Sequence, residues 1–246
     1  MTERLATIDV DEIGRFAALA ETWWDENGPM APLHALNPLR IAFIRDALVS
    51  DVSERRPLAG LRILDVGCGG GLLCEPLARL GAEVTGLDAA QKSIDVARAH
   101  AAEAGLDIAY RCGDVAELHG ETFDAVLAME VVEHVADLPT FVAAAGACVA
   151  PGGILAMATL NRTLKALALA VVGAEYVLGW LPRGTHDWRK FVRPSELIGL
   201  ASNAGLQVER ITGAAYNPLS GSWRLSRDLG VNYMLAARRS TSSASA

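Results

Sequence analysis

Arg62-Ile63-Leu64-Asp65-Val66-Gly67-Cys68-Gly69-Gly70-Gly71-Leu72 is an apolar run that ends beside an acid and opens into a glycine turn. Thr85-Gly86-Leu87-Asp88 closes the next apolar run, placing a carboxylate twenty-one residues after Gly67. Strand, glycine turn and an acid at the end of the second strand describe a nucleoside pocket on a doubly wound sheet. Glycines such as Gly67 and Gly69 let backbone approach a ligand closely, and Asp88 can accept hydrogen bonds from a ribose diol. A dinucleotide fingerprint would want glycine or alanine where Leu72 stands, and Asp65 puts an acid ahead of the turn. Both departures favour a single nucleoside over a pyrophosphate.

Outward from this stretch the pattern alternates. Strands are expected at 61–66, 83–87, 107–111, 125–129 and 154–160, with helices at about 71–80, 91–104 and 138–149 between them. Such βαβαβ alternation predicts a parallel sheet. Pro151-Gly152-Gly153 reads as a helix stop and turn, and the late runs 206–211 and 232–237 read as a closing hairpin pair. Upstream, Asp11 to Asp25 carries Ile13, Phe16, Ala17, Ala20 and Trp24 on one helical face, as a lid or substrate element would. Asn37-Pro38 reads as the start of a second helix running to about Val49, with Asn37 as its cap and Arg40 near its N-terminus. The chain is read as a single domain: a helical cap (1–50), a cofactor core (61–160), an insertion (161–193) and a disordered tail (240–246).

Composition narrows the function classes. A net charge of -7 excludes a general nucleic-acid binder, which needs clustered Lys and Arg on one face. Cys68, Cys74, Cys112 and Cys148 form no CxxC pair, and the N-terminus lacks the basic and then apolar form of a signal peptide. A reducing, cytoplasmic setting is expected. The insertion holds a mostly apolar stretch, Thr163 to Leu181, interrupted by Lys165 and Glu175. About 20 uninterrupted apolar residues span a bilayer, so this stretch reads as a lid or as an interfacial helix facing lipid.

The chemistry is expected in Met129-Glu130-Val131-Val132-Glu133-His134. If these residues turn helical, Glu130, Glu133 and His134 share one face and suit one divalent cation. His134 alternatively serves as a general base, with Glu133 beside it. Asp114 follows the third strand at the sheet's carboxyl edge, and Met129 ends the fourth beside the same crevice. Among the other histidines, His34 and His186 flank the expected substrate space, whereas His100 and His119 read as incidental.

Asp65-Val66-Gly67-Cys68-Gly69-Gly70-Gly71 resembles the first motif of class I S-adenosylmethionine-dependent methyltransferases. That resemblance implies an α/β, Rossmann-like fold: a mostly parallel seven-stranded sheet, helices on both faces and an antiparallel final strand. Further motifs run from about residue 10 to 238: Trp23-Trp24-Asp25, His34-Ala35-Leu36-Asn37-Pro38-Leu39-Arg40, Met129 to His134, Thr159-Leu160-Asn161-Arg162, Gly184-Thr185-His186-Asp187, Tyr216-Asn217-Pro218 and Val231-Asn232-Tyr233-Met234. They resemble the ubiquinone biosynthesis O-methyltransferase family. This implies methylation of polyprenylated catechol hydroxyls, on 2-polyprenyl-6-hydroxyphenol and 3-demethylubiquinol, with S-adenosylmethionine held at Arg40, Gly67, Asp88 and Met129. It further implies magnesium at Glu130, Glu133 and His134, as in mitochondrial members. Peripheral attachment to the inner face of the cell membrane through the insertion, and a biosynthetic complex, complete the expectation. Two other readings stay open: a methyltransferase of another small aromatic, at oxygen or carbon, and a non-catalytic cofactor-binding lipid-surface module.

Overall fold

The computed structural model describes residues 7, 9–169, 187–217 and 222–241. Two helices precede the sheet: α1 (Val10–Ala18) and α2 (Ala31–Leu48), joined through a short 3-10 turn at Ala20–Thr22. Alternation follows: β1 (Arg62–Val66), α3 (Cys74–Arg79), β2 (Glu83–Asp88), α4 (Gln91–Glu103), β3 (Ala109–Cys112), β4 (Phe123–Met129), α5 (Leu138–Ala147) and β5 (Val149–Leu160). After a short helical stretch, α6 (Leu164–Ala166), come α7 (Pro194–Asn203), β6 (Leu206–Asn217), β7 (Ser222–Ser226) and β8 (Asn232–Arg239).

The strands form one sheet in the order β3-β2-β1-β4-β5-β8-β6-β7. β1 to β5 pair in parallel, while β8 runs antiparallel to both β5 and β6. Alternate residues along each central strand face opposite layers, as the pleat requires. Leu64, Val126 and Leu155 pack toward α5 and α7, whereas Ile63, Leu127 and Ala156 pack with Phe43, Leu77 and Ile94 of α2, α3 and α4. Chain direction from β1 splits left to β2 and right to β4, and ligands of such sheets bind outside the strand ends at that switch.

Several expectations change. The sheet has eight strands, not seven, because β7 pairs with β6 on its outer side. Its sequence Ser-Trp-Arg-Leu-Ser is mostly exposed at the sheet edge and lacks an alternating apolar signal. The runs 206–211 and 232–237 do pair antiparallel, but β7 intervenes in sequence, so they are not a simple hairpin. Pro151-Gly152-Gly153 lies inside β5, where the pairing with β4 slips between Phe123 and Ala125. The expected turn is an irregularity that the strand absorbs.

The second helix starts earlier than expected, at Ala31, with a proline in its first turn and Pro38 in its interior. Pro32, not Pro38, takes the first-turn position, where its missing N–H costs no helical hydrogen bond. Asn37 is therefore no cap; it is buried and its side-chain amide donates to Leu72 O at 2.7 Å, bracing the end of the glycine turn. Arg40 lies one turn further along the middle of α2, directed at the same region. Most of the tail and residues 170–186 of the insertion, His186 among them, lie outside the described residues.

Candidate active site

A cavity of about 270 Å³ opens at the carboxyl ends of β1, β2 and β4. Arg40, Asp65, Gly67, Asp88, Asp114, Met129, Glu130, Glu133 and His134 all line it. Its roof comes from the N-terminal segment, through Thr7, Glu12, Ile13, Phe16, Leu19, Trp23 and Met30.

Gly69 is the exception among the expected cofactor residues, and its part is structural. Its N–H donates to Asp88 at 2.9 Å, and a Cβ on it would lie 2.4 Å from the Trp23 ring. Gly70 has the same relation to Trp23, while the Trp24 indole N–H donates to Gly70 O at 2.9 Å. Trp23 in turn donates to Ser93 of α4. The glycine turn is thus the seat of the cap as well as a ligand loop. Gly67, with φ of 73°, lies under Val131, where a Cβ would come within 2.4 Å.

The cofactor end of the cavity holds an unusual charge set. Asp65 is buried beneath the turn, where burial pushes its carboxyl up to about 7 against the Cys74 thiol hydrogen bond and the charge of Arg40. The Cys74 thiol donates to Asp65 at 3.2 Å. Arg40 is also buried; one guanidinium N–H donates to Leu33 O, and Nε has no hydrogen-bond partner among the described residues. Asp88 accepts the Gly69 and Ala90 N–H groups, one on each carboxylate oxygen, leaving lone pairs for a diol. These residues fit S-adenosylmethionine. The guanidinium, with Nε still unsatisfied, would meet its carboxylate, Asp88 its ribose, and the acids its sulfonium.

Asp114 also holds the cap. Its two oxygens accept the Thr7 N–H at 3.0 Å and hydroxyl at 2.6 Å, and it caps the turn Val115–Glu117. Its side chain straps the N-terminal segment over the cavity that it also lines.

The Glu130, Glu133 and His134 group departs most from expectation. Glu130 has φ of 59° and the chain then forms turns, so no helix face aligns the three groups. Glu133 is buried and accepts the Thr159 hydroxyl at 2.8 Å, while His134 Nδ1 lies 3.1 Å from Glu12 Oε2. Among the described residues no set of three His, Cys, Asp or Glu side chains could hold a metal ion, and these three do not fit magnesium as placed. Burial and the charge of Glu133 push Glu130 up to about 7, against Arg40 and His134. Burial would depress His134, but the hydrogen bond that its ring donates to Glu12 and the charges of Glu133 and Glu12 outweigh it and raise its pKa above the ordinary 6.5.

Glu12 was not singled out in the sequence. It is 8% exposed, and the His134 hydrogen bond holds it at about 2 against its burial, with help from the His134 charge and from Lys190. Lys190 Nζ lies 3.0 Å from Asp9 and 3.2 Å from Glu12, tying the far end of the insertion to α1. The available signal was an acid one turn before Phe16, at the margin of the apolar face of α1. His34 and His100 are structural: His34 Nε2 meets Trp23 O at 2.8 Å, and His100 stacks on Trp24 at 3.5 Å while bonding Glu75.

Residues 64–157 match the family model described as a methyltransferase domain. The ubiquinone biosynthesis O-methyltransferase of Methylobacterium nodulans is 59% identical over 239 residues, covering 95% of this chain and 96% of that protein. The protein of the same name from Mesorhizobium japonicum is 54% identical over 242 residues, covering 96% and 97%. The chain belongs to the ubiquinone biosynthesis O-methyltransferase family. Among solved structures, magnesium protoporphyrin IX methyltransferase from Synechocystis PCC 6803, with bound S-adenosylmethionine, superposes with a TM-score of 0.63 at 18% identity. That match covers 94% of this chain and 99% of the other, and shows the same Rossmann-like methyltransferase fold.

In this member of the family, carboxyls raised to about 7 face the cofactor space. A cationic ligand binds their ionised forms better, so its affinity rises as pH climbs through that value. The dissociation constant of S-adenosylmethionine should fall several-fold between about pH 6 and pH 8, and that of uncharged-sulfur S-adenosylhomocysteine much less. Calorimetry giving equal pH dependence for both ligands would contradict this electrostatic reading.

Proposed function

We propose that the protein methylates a phenolic hydroxyl of polyprenylated catechols, namely 2-polyprenyl-6-hydroxyphenol and 3-demethylubiquinol, in ubiquinone biosynthesis. The observation that carries this is a histidine, His134, on the wall of a cavity whose other end is built for S-adenosylmethionine. Similarity to relatives of that name over nearly the whole chain supports the choice of acceptor.

Bound S-adenosylmethionine supplies an electrophilic methyl group. A phenol with pKa about 10 is mostly protonated at neutral pH and needs a base nearby. His134 in its neutral form takes the hydroxyl proton as the phenolic oxygen bonds to the methyl carbon and the carbon–sulfur bond breaks. Roofing by Phe16, Ile13 and Leu19 keeps water from competing and offers apolar wall to an aromatic ring.

Magnesium on Glu130, Glu133 and His134 would first require Thr159 to release Glu133 and Glu12 to release His134. Chelation separates the two arrangements: turnover that survives it leaves His134 as base, and turnover lost and restored by magnesium means that the three groups regroup in the working complex. The purified protein should transfer labelled methyl to the oxygen of a short-chain demethylubiquinol analogue, with His134→Ala slowing turnover about 100-fold or more while leaving S-adenosylmethionine affinity near wild type. Product methylated at carbon, or none from either catechol by a cofactor-binding enzyme, would refute the assignment.

We also propose that the start of the insertion rests on lipid. Leu164 and Leu169 are 77% and 55% exposed beside Lys165, an arrangement suited to an interfacial element. No helix among the described residues is long and apolar enough to cross a membrane. Replacing both leucines with aspartate should reduce sedimentation with anionic phospholipid vesicles several-fold; unchanged sedimentation would return the segment to a lid.

A further inference from the structure

Glu12 and Phe16 stand one turn apart on α1, and both hold the same imidazole. Glu12 Oε2 lies 3.1 Å from His134 Nδ1, and the Phe16 ring meets the imidazole edge-on at 5.2 Å. An ionised carboxylate can only accept, so Nδ1 carries the hydrogen. In neutral His134 the lone pair then sits on Nε2, which has no hydrogen bond among the described residues. The carboxylate itself is fixed from the opposite side by Lys190 and by Arg15 at 3.2 Å each.

Resting on the reading of His134 as base, we infer that Glu12 is a positioning residue for the methyl transfer, delivered by the cap: seating α1 fixes the tautomer and aim of His134. The roof and the base are then assembled by one movement. Without α1 in place, His134 would lie on a turn with a freely rotating ring, and a displacement of about 1 Å at such a group can cost on the order of 100-fold in rate. The cap's other anchors, Trp23 on Gly69 and Gly70 and Thr7 on Asp114, hold α1 from both ends, so Glu12 need not be what seats it.

A double-mutant cycle on a short-chain catechol analogue tests this, with calorimetry of S-adenosylmethionine binding alongside. Glu12→Ala should lower kcat about 10-fold to 100-fold, with KM for the catechol and affinity for the cofactor changed less than about threefold. Combined with His134→Ala it should add nothing, since Glu12 acts through the ring that has been removed. Glu12→Gln keeps an acceptor for Nδ1–H and should recover kcat to within a few-fold of wild type. Arg15→Ala, which removes only an outer partner of the carboxylate, should stay within about twofold. Losses that multiply in the double variant, or a Glu12→Gln enzyme as slow as Glu12→Ala, would overturn the positioning role. Wild-type kcat in Glu12→Ala beside a crippled His134→Ala would sink this inference alone. Wild-type turnover in His134→Ala would sink the base assignment and this inference with it.

Discussion

Trp23 packs into the space that side chains on Gly69 and Gly70 would fill, and the rest of the site depends on that contact. A buried indole is among the larger apolar contributions a fold can make, and here it joins the N-terminal segment to the first turn of the sheet. The glycine turn that approaches the ligand on one side receives the cap on the other. Enlarging either glycine would displace the tryptophan, and with it the roof over the cavity. Trp24 reinforces the joint from outside, bonded to Gly70 O and stacked on His100.

Once the cap is seated, it reaches the chemistry as well as the cofactor. Thr7 straps Asp114 at one end of the cavity, Glu12 and Phe16 hold His134 at the other, and Lys190 brings in the far end of the insertion. Asp65 and Arg40 lie beneath, each buried and incompletely neutralised. Buried charge of that kind is costly unless a ligand completes it, and a zwitterion with a sulfonium centre supplies both missing signs. Binding energy and lid closure are therefore connected through a few side chains around one loop.

Much of this was legible in the sequence, for identifiable reasons. The βαβ core could be read because each central strand is an apolar run ending at glycine or acid, and Asp65, Gly67, Asp88 and Met129 sit at those ends. Arg40 came only with the family resemblance, since its helix appeared to start at the wrong proline. β7 could not be read, because a short exposed edge strand leaves no periodic signal. The expected face of Glu130, Glu133 and His134 failed because a left-handed glutamate opens a run of turns where a helix was expected, which spacing alone does not announce. Glu12 was missed because the partners that give it a role in the site lie 122 and 178 residues away, a closeness that local pattern does not encode.

In the proposed reaction one roofed cavity sets the methyl donor, the acceptor hydroxyl and the capped histidine in line. A crystal structure with S-adenosylhomocysteine and a short-chain catechol bound tests it most directly. The homocysteine carboxylate should lie on Arg40, the ribose on Asp88, and an acceptor hydroxyl about 2.6–3.2 Å from His134 Nε2 with Glu12 still on Nδ1. A catechol seated away from His134, or a histidine released from Glu12 with the cap open, would contradict it.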